Sequence, residues 1–283
     1  MLNASDIPFF TVNEAKALLP AMRADDNKAH RGKSFLIAGS GQYPGAGFLC
    51  ARAALRAGSG YVYLAQSSKP SFSETTPEII PEELKLDFES DPRLTIAIGP
   101  GTGTLDVIEK ILHVLSARQH SKLVVDADAL TILARGTGVL PHAEWVLTPH
   151  EGELARLLNI SSEEISKDRG CWVQRAQKKY GCVIVLKGDH TLVADENGLT
   201  QNSTGNAGLA KAGTGDVLTG IITALRAQGL SASGAARTGV LVHGLCADLW
   251  VKKGMDFLSL TASDVIDLLP EAFYEIRNYS SSL

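Results

Sequence analysis

Short apolar runs alternate with longer amphipathic stretches along most of the chain, and glycine-rich turns separate them. The runs at 34–38, 60–65, 94–98, 123–126, 145–147 and 182–187 have the length and bounding turns of buried strands. Between them, apolar spacing near 3.6 residues predicts helices over 48–57, 105–115, 129–134, 151–158 and 165–180. Strand, turn, helix, strand, repeated along the chain, is the grammar of a parallel sheet. Residues 191–194 followed by Asp195-Glu196-Asn197-Gly198 predict a hairpin, because two short alternating runs flank a turn that ends in glycine. From Thr214 onward the pattern is mostly helical, over 216–227, 231–253 and 261–275. Residues 1–32 are polar and irregular apart from a helical pattern at 13–19 and a charged patch at 23–28.

No Pro/Gly/Ser-rich linker and no internal repeat interrupts this series. The expected fold class is therefore α/β: a single doubly wound, mainly parallel sheet with helices on both faces and a helical C-terminal flank. One domain is expected over 1–283, with 1–27 as an N-terminal extension.

Composition narrows the class of partner. Among 283 residues, 27 Lys+Arg face 31 Asp+Glu for a net charge of −4, without the basic excess expected of a nucleic-acid binder. The apolar runs fall far short of a bilayer span, and the first residues lack a basic segment followed by an apolar core. A soluble cytoplasmic protein is expected. Cys50, Cys171, Cys182 and Cys246 form no CxxC pair and have no His at metal spacing, so they read as free thiols in a reducing compartment. The 27 glycines beside only 6% aromatics suggest tight turns and places of close backbone approach.

Those glycines gather in loops that follow strands, where ligands bind in open parallel sheets. The loop 39–47 contains neither GxGxxG nor GxxxxGK[ST], and reads as a tight turn or as backbone laid against a ligand. Gly99-Pro100-Gly101-Thr102-Gly103 is a weaker loop of the same kind. In 148–153, Thr148 and Glu151 have capping-box spacing, and His150 is a structural loop residue or a ligand. Lys187 and Thr191, in Lys187-Gly188-Asp189-His190-Thr191, either reach nucleotide phosphates or simply end strands. The strongest segment is 202–216, where Gly213-Thr214-Gly215 presents successive amides at a helix start, an anion site by geometry and by dipole. Asp216 behind it is a helix cap, or a general base on a hydroxyl that attacks a phosphoryl group.

Gly213-Thr214-Gly215-Asp216 opening a late helix resembles the anion hole and catalytic aspartate of the ribokinase-like superfamily. With 205–220, 187–191, Asp126-Ala127-Asp128-Ala129-Leu130 and 148–153, the chain resembles one branch of it, the nucleotide-dependent NAD(P)H-hydrate dehydratases. The likeness runs from about Lys28 to Pro270. It takes in the helix end Ala53-Ala54-Leu55-Arg56-Ala57-Gly58, Pro77-Glu78-Ile79, and His243-Gly244 followed by Ala247-Asp248-Leu249.

The resemblance implies repair of hydrated NADH or NADPH. A phosphoryl group from ADP or ATP, with Mg²⁺, converts the ring hydroxyl into a leaving group, and elimination restores the dihydropyridine. Phosphate is released together with AMP from ADP or with ADP from ATP. It implies that Asp216 is the base and that Gly213, Thr214 and Gly215 stabilise the transferring phosphoryl group. Ala46, Gly103, His150 and Asp216 would meet the substrate. Lys187, Gly188, Asp189, His190, Thr191, Asn206, Gly208 and Gly215 would hold the nucleotide. It also implies a homotetramer and an epimerase partner, expected on a separate chain because only some 30 residues precede the first strand. Two departures stand out: Thr131 where the family has Asn, and Lys211-Ala212 where Thr-Gly or Lys-Gly is common, which places a methyl group near the anion hole. A vitamin-precursor kinase, for hydroxyethylthiazole or a pyridoxal-type alcohol, shares Gly-Thr-Gly-Asp but not 126–130 and 148–153 together. A catalytically silent nucleotide-binding protein is opposed by an intact Asp216.

Overall fold

The computed structural model describes residues 7–21, 25–67, 76–88 and 91–280, so the patch at 23–28 lies partly outside them. Ten strands form one sheet: β1 (Phe9–Phe10), β2 (Lys33–Ile37), β3 (Tyr61–Ala65), β4 (Ile79–Glu82), β5 (Leu94–Ile98), β6 (Lys122–Val125), β7 (Trp145–Leu147), β8 (Val183–Leu186), β9 (Leu192–Asp195) and β10 (Gly198–Asn202). Their order across the sheet is β1-β10-β9-β8-β7-β6-β5-β2-β3-β4, and only β9 runs against the rest.

Ten helices cover it: α1 (Val12–Leu18), α2 (Pro44–Arg56), α3 (Asp106–Ser116), α4 (Ala127–Ala134), α5 (Glu151–Leu158), α6 (Ser162–Lys167), α7 (Arg169–Tyr180), α8 (Thr214–Ala227), α9 (Ala232–Lys252) and α10 (Ala262–Asn278). Strands buried on both faces can be apolar throughout. Accordingly Leu36, Val124, Val146 and Val185 join the core under α1, α2 and α8–α10, while Phe35, Val125, Trp145 and Ile184 join the core under α3–α7. Among the described residues, no helix is long and apolar enough to cross a membrane. All four cysteines are free, as their spacing suggested.

Where the elements differ from expectation, local chemistry accounts for it. Helix α2 begins at Pro44, not Phe48, because proline's fixed φ suits the first helical position. Gly45 and Gly47, read as loop, therefore lie in its first turn, and a Cβ on Gly47 would overlap the Ala38 carbonyl at the end of β2. The helix expected over 165–180 is two, broken at Asp168, whose carboxylate accepts the Cys171 N–H at 3.0 Å and starts α7. The expected hairpin is β9–β10. The short strands β1 and β4 carry too few residues for an alternation signal.

Connectivity decides where the loops meet. The chain runs outward from β2 through β3 to β4, then returns to place β5 on the other side of β2. Two crossovers of opposite sense leave a crevice beyond the carboxyl ends of β2 and β5, the position where open α/β sheets bind ligands. The loops 39–47 and 99–103 flank it and are joined by Gly39 N–H donating to the Pro100 carbonyl at 2.7 Å. Helix α8 is almost wholly buried against the sheet, α2 and α9. Gly220 makes that possible, since a Cβ there would overlap the Cys50 carbonyl of α2.

Candidate active site

The crevice floor is polar and charged in an otherwise apolar sheet. Asp126 ends β6, with a side chain only 2% exposed, and both of its oxygens are engaged. Oδ1 accepts from Lys187 Nζ at 2.7 Å and Oδ2 from Thr219 Oγ1 of α8 at 2.9 Å. Lys187, just past β8, also lies 3.7 Å from Glu153 and keeps 19% of its side chain open to the crevice. Burial alone would lower the Lys187 pKa, but Asp126 and Glu153, with Asp216 further off, outweigh it and hold the ammonium above its ordinary value.

Asp216 has the opposite balance. Burial, reinforced by the Asp126 charge, lifts its carboxyl to about 7 against the pull of Lys187. It stands in the first turn of α8, whose N-cap Gly213 has φ +90° and offers no side chain to that end. A helix start without a side-chain cap, opened by a left-handed glycine, is an anion cradle. Gly215 in its first turn lies beside Lys187: a Cβ built there would stand 3.6 Å from Nζ. The amides, the ammonium and a carboxyl that titrates near neutrality thus meet at one place.

The other predicted residues sit in neighbouring loops and helix caps. Ala46 adjoins the second glycine loop, 2.8 Å from where a Gly101 Cβ would stand. Gly103 donates its N–H to Asp128 Oδ2 at 2.9 Å. His150 is the N-cap of α5: its Nδ1 accepts from Gly152 and Glu153 N–H, and Glu153 returns a bond to His150 N–H at 2.8 Å. The capping box is therefore His150 with Glu153, not Thr148 with Glu151. Thr148 is buried and turns its hydroxyl to the Val125 carbonyl instead. With Nδ1 accepting, the neutral ring carries its proton on Nε2, 3.4 Å from Glu153 Oε1. Because the ring is a cap, His150→Ala is expected to lose about 1 kcal/mol of stability, whereas His150→Asn retains an acceptor. Equal melting temperatures for the two variants would refute the cap.

The turn 187–191 joins antiparallel strands β8 and β9. His190 adopts φ +45°, and Thr191 Oγ1 donates to the Gly188 carbonyl at 3.0 Å. Arg169 of α7, which carried no signal in the sequence, organises this turn. Its guanidinium donates to the Asp189 carbonyl and, at 3.4 Å, to that of Lys187, and it pairs with Glu151 of α5 at 3.0 Å. Asn206 Oδ1 accepts the Gly208 N–H at 3.0 Å. Lys211 points away, donating to the Leu258 carbonyl at 2.6 Å, and Ala212 is exposed. A separate 510 Å³ cavity, lined by Arg31, Arg56 and Arg93 among others, lies at the amino ends of the strands, and none of the residues read as substrate or nucleotide contacts lines it.

The Mg²⁺ that the resemblance implies would bring most of its own ligands to this site. Among the described residues, no three His, Cys, Asp or Glu side chains are grouped to hold a metal. Both Asp126 oxygens are already occupied. The site fits an ion that arrives with phosphate oxygens and water, the usual mode for Mg²⁺.

A family model described as NAD(P)H-hydrate dehydratase matches residues 34–271. The chain belongs to that family. A bifunctional NAD(P)H-hydrate repair enzyme Nnr of Thermofilum pendens is 36% identical over 92% of this chain and 53% of its own length. The chain thus spans about half the length of such relatives. The ADP-dependent (S)-NAD(P)H-hydrate dehydratase of Bacillus subtilis is 32% identical over 95% of this chain and 98% of its own. A crystal structure of the ADP/ATP-dependent enzyme from B. subtilis, co-crystallised with ATP/Mg²⁺, superposes with a TM-score of 0.86 at 29% identity, covering 96% of this chain and all (100%) of that one. Hydroxyethylthiazole kinase from Pyrococcus horikoshii shares the fold alone, with 16% identity and a TM-score of 0.59. The dehydratase family and its mainly parallel sheet, both expected from the motifs, are thereby established, in preference to the vitamin-kinase alternative.

Proposed function

We propose that this chain dehydrates hydrated NADH or NADPH at the expense of ADP or ATP. The observation that carries the reading is Asp216, a half-buried carboxyl titrating near 7 in the first turn of a helix whose amides have no side-chain cap. A base poised near ambient pH beside an anion cradle is what phosphorylation of a hydroxyl requires. The substrate lies along Ala46, Gly103 and His150, with its ring hydroxyl toward Asp216. The nucleotide occupies the segments 187–191 and 206–215.

Asp216 takes the hydroxyl proton as that oxygen bonds to the terminal phosphorus and the bridging P–O bond breaks, releasing AMP from ADP or ADP from ATP. The amides of Gly213, Thr214 and Gly215, with Lys187, stabilise the charge on the transferring group. In the second step the ring C–O bond breaks, phosphate leaves with the electron pair, and the neighbouring ring carbon gives up a proton to restore the double bond. Mg²⁺ bound with the phosphates would supply charge neutralisation. Cytoplasmic location, one domain over 1–283 with 1–27 as an extension, a homotetramer and an epimerase partner on a separate chain belong to the same proposal. Sizing of the purified protein tests the tetramer.

The direct test offers hydrated NADH with ADP or ATP and Mg²⁺ and follows the near-ultraviolet absorbance of the reduced nicotinamide. Recovery with at least one nucleotide is expected. No recovery with either would sink the reading, and phosphorylation of hydroxyethylthiazole in its place would restore the kinase.

A further inference from the structure

The string His243, Gly244, Ala247, Asp248 belongs to the resemblance, yet the proposed chemistry uses none of it. All four lie on α9, which runs behind the nucleotide segment. Gly244 brings the two backbones into contact: a Cβ there would overlap the Thr204 hydroxyl, and a Cβ on Gly205 would stand 3.2 Å from the Gly244 Cα. Thr204 is fixed in turn by its hydroxyl donating to the Leu241 carbonyl at 2.8 Å. One turn further along α9, Asp248 faces the loop. Its Oδ2 accepts the Gly205 N–H at 2.8 Å and its Oδ1 accepts Asn206 Nδ2 at 3.2 Å. That leaves the Asn206 side-chain carbonyl to receive the Gly208 N–H, which sets the single turn at Ala207–Leu209.

Helix stability does not explain this aspartate. A carboxylate near a helix C-terminus is opposed by the dipole, and Asp248 sits in the last turns of α9 (Ala232–Lys252). No ion pair to a cation is recorded for it among the described residues. Its compensation is the pair of N–H donors from the loop. Gly205, with φ +104°, permits the bend that aims its N–H at Asp248.

We infer that Asp248 is a positioning residue for nucleotide binding: it holds Gly205 and Asn206 so that the 205–208 backbone is already in its binding shape. The inference rests on the reading of Asn206 and Gly208 as nucleotide contacts. A loop fixed in advance avoids the ordering cost of binding, so the effect belongs to affinity and not to the chemical step.

The test is ADP calorimetry on the full chain, with steady-state kinetics alongside. Asp248→Ala is expected to weaken ADP binding and raise its KM by about 10-fold or more, the scale of two charge-assisted bonds, with kcat at saturating ADP nearly unchanged. Asp248→Asn sets an amide nitrogen against Asn206 Nδ2 and is expected to bind ADP weakly as well. Combining it with Asn206→Asp exchanges donor for acceptor: the carboxylate at 206 accepts from Gly208 and from the new amide, whose carbonyl accepts from Gly205. Because Asn206 is itself read as a nucleotide contact, recovery is expected to be partial, with the double variant binding ADP more tightly than Asp248→Asn alone. Wild-type ADP affinity in Asp248→Ala, or a double variant no tighter than Asp248→Asn, overturns the inference and leaves the proposed function standing. A wild-type chain that binds no ADP overturns the nucleotide reading and the inference with it. If Asp248→Ala fails to fold, the comparison of Asp248→Asn with the double variant still decides.

Discussion

Asp216→Asn is expected to lower turnover by about 100-fold or more, the usual scale for a general base, while ADP still binds and the protein melts at a higher temperature. The three readouts have one physical source. Asp216 is held in a half-buried place beside Asp126, so its ionised form is disfavoured and its pKa rises from the ordinary 3.8 to about 7. The ionised form is the one that accepts a proton. In the wild type, kcat/KM is therefore expected to fall about tenfold per pH unit below about 7, because that ratio reports the free enzyme. Stability runs the other way. Between 3.8 and about 7 the folded chain retains a proton that the unfolded chain has released, so stability falls as pH rises through that interval. Asn has nothing to ionise, and the gain in melting temperature is expected at about pH 8 and to vanish below pH 3.8, where both states become protonated. Near-wild-type turnover in the variant would remove the base assignment. A melting temperature unchanged at about pH 8 would mean that the carboxylate is not under strain.

The residues that announced themselves in the sequence are those whose chemistry shows in local order. Gly213 and Gly215 bracket a helix start, Asp126 and Lys187 each end a strand, and Gly39–Gly47 and Gly99–Gly103 follow strands that topology makes neighbours. Strand periodicity was equally legible, since a doubly covered sheet needs continuous apolar runs. The supports of the site were hidden. Arg169 reaches the 187–191 turn from another helix, Thr219 meets Asp126 across 93 residues of sequence, and Asp248 meets Asn206 across 42. Such contacts join polar residues that look like ordinary solvated positions in their own segments. His150 shows a different limit. Thr148 with Glu151 fits the capping spacing equally well, and only the burial of Thr148 beneath β6 decides for His150 with Glu153.

Lys187→Met is expected to have the second large effect, on folding and on nucleotide affinity together. Among the described residues the ammonium is the one cationic partner of Asp126, at 2.7 Å, and it lies 3.7 Å from Glu153. Removing one member of a buried charge cluster leaves the others without compensation, typically at about 3–5 kcal/mol. Without the cation, Asp216 loses the ammonium that pulls its pKa down, and that pKa rises further. The variant then takes up protons on folding, so its destabilisation is expected to grow as pH increases. Melting curves should differ from wild type more at about pH 8 than at about pH 5.5. ADP affinity is expected to fall by about 100-fold, since a desolvated charge contact to phosphate is lost. Lys187→Arg separates the two effects: it preserves the charge but spreads it over a planar fork too large for the same seat, so it should regain more stability than affinity. A Lys187→Met chain that melts like wild type at about pH 8 would show that the ammonium does not compensate the carboxylates around it. The charged floor drawn between β6, β8 and α8 would then have to be redrawn without that ion pair.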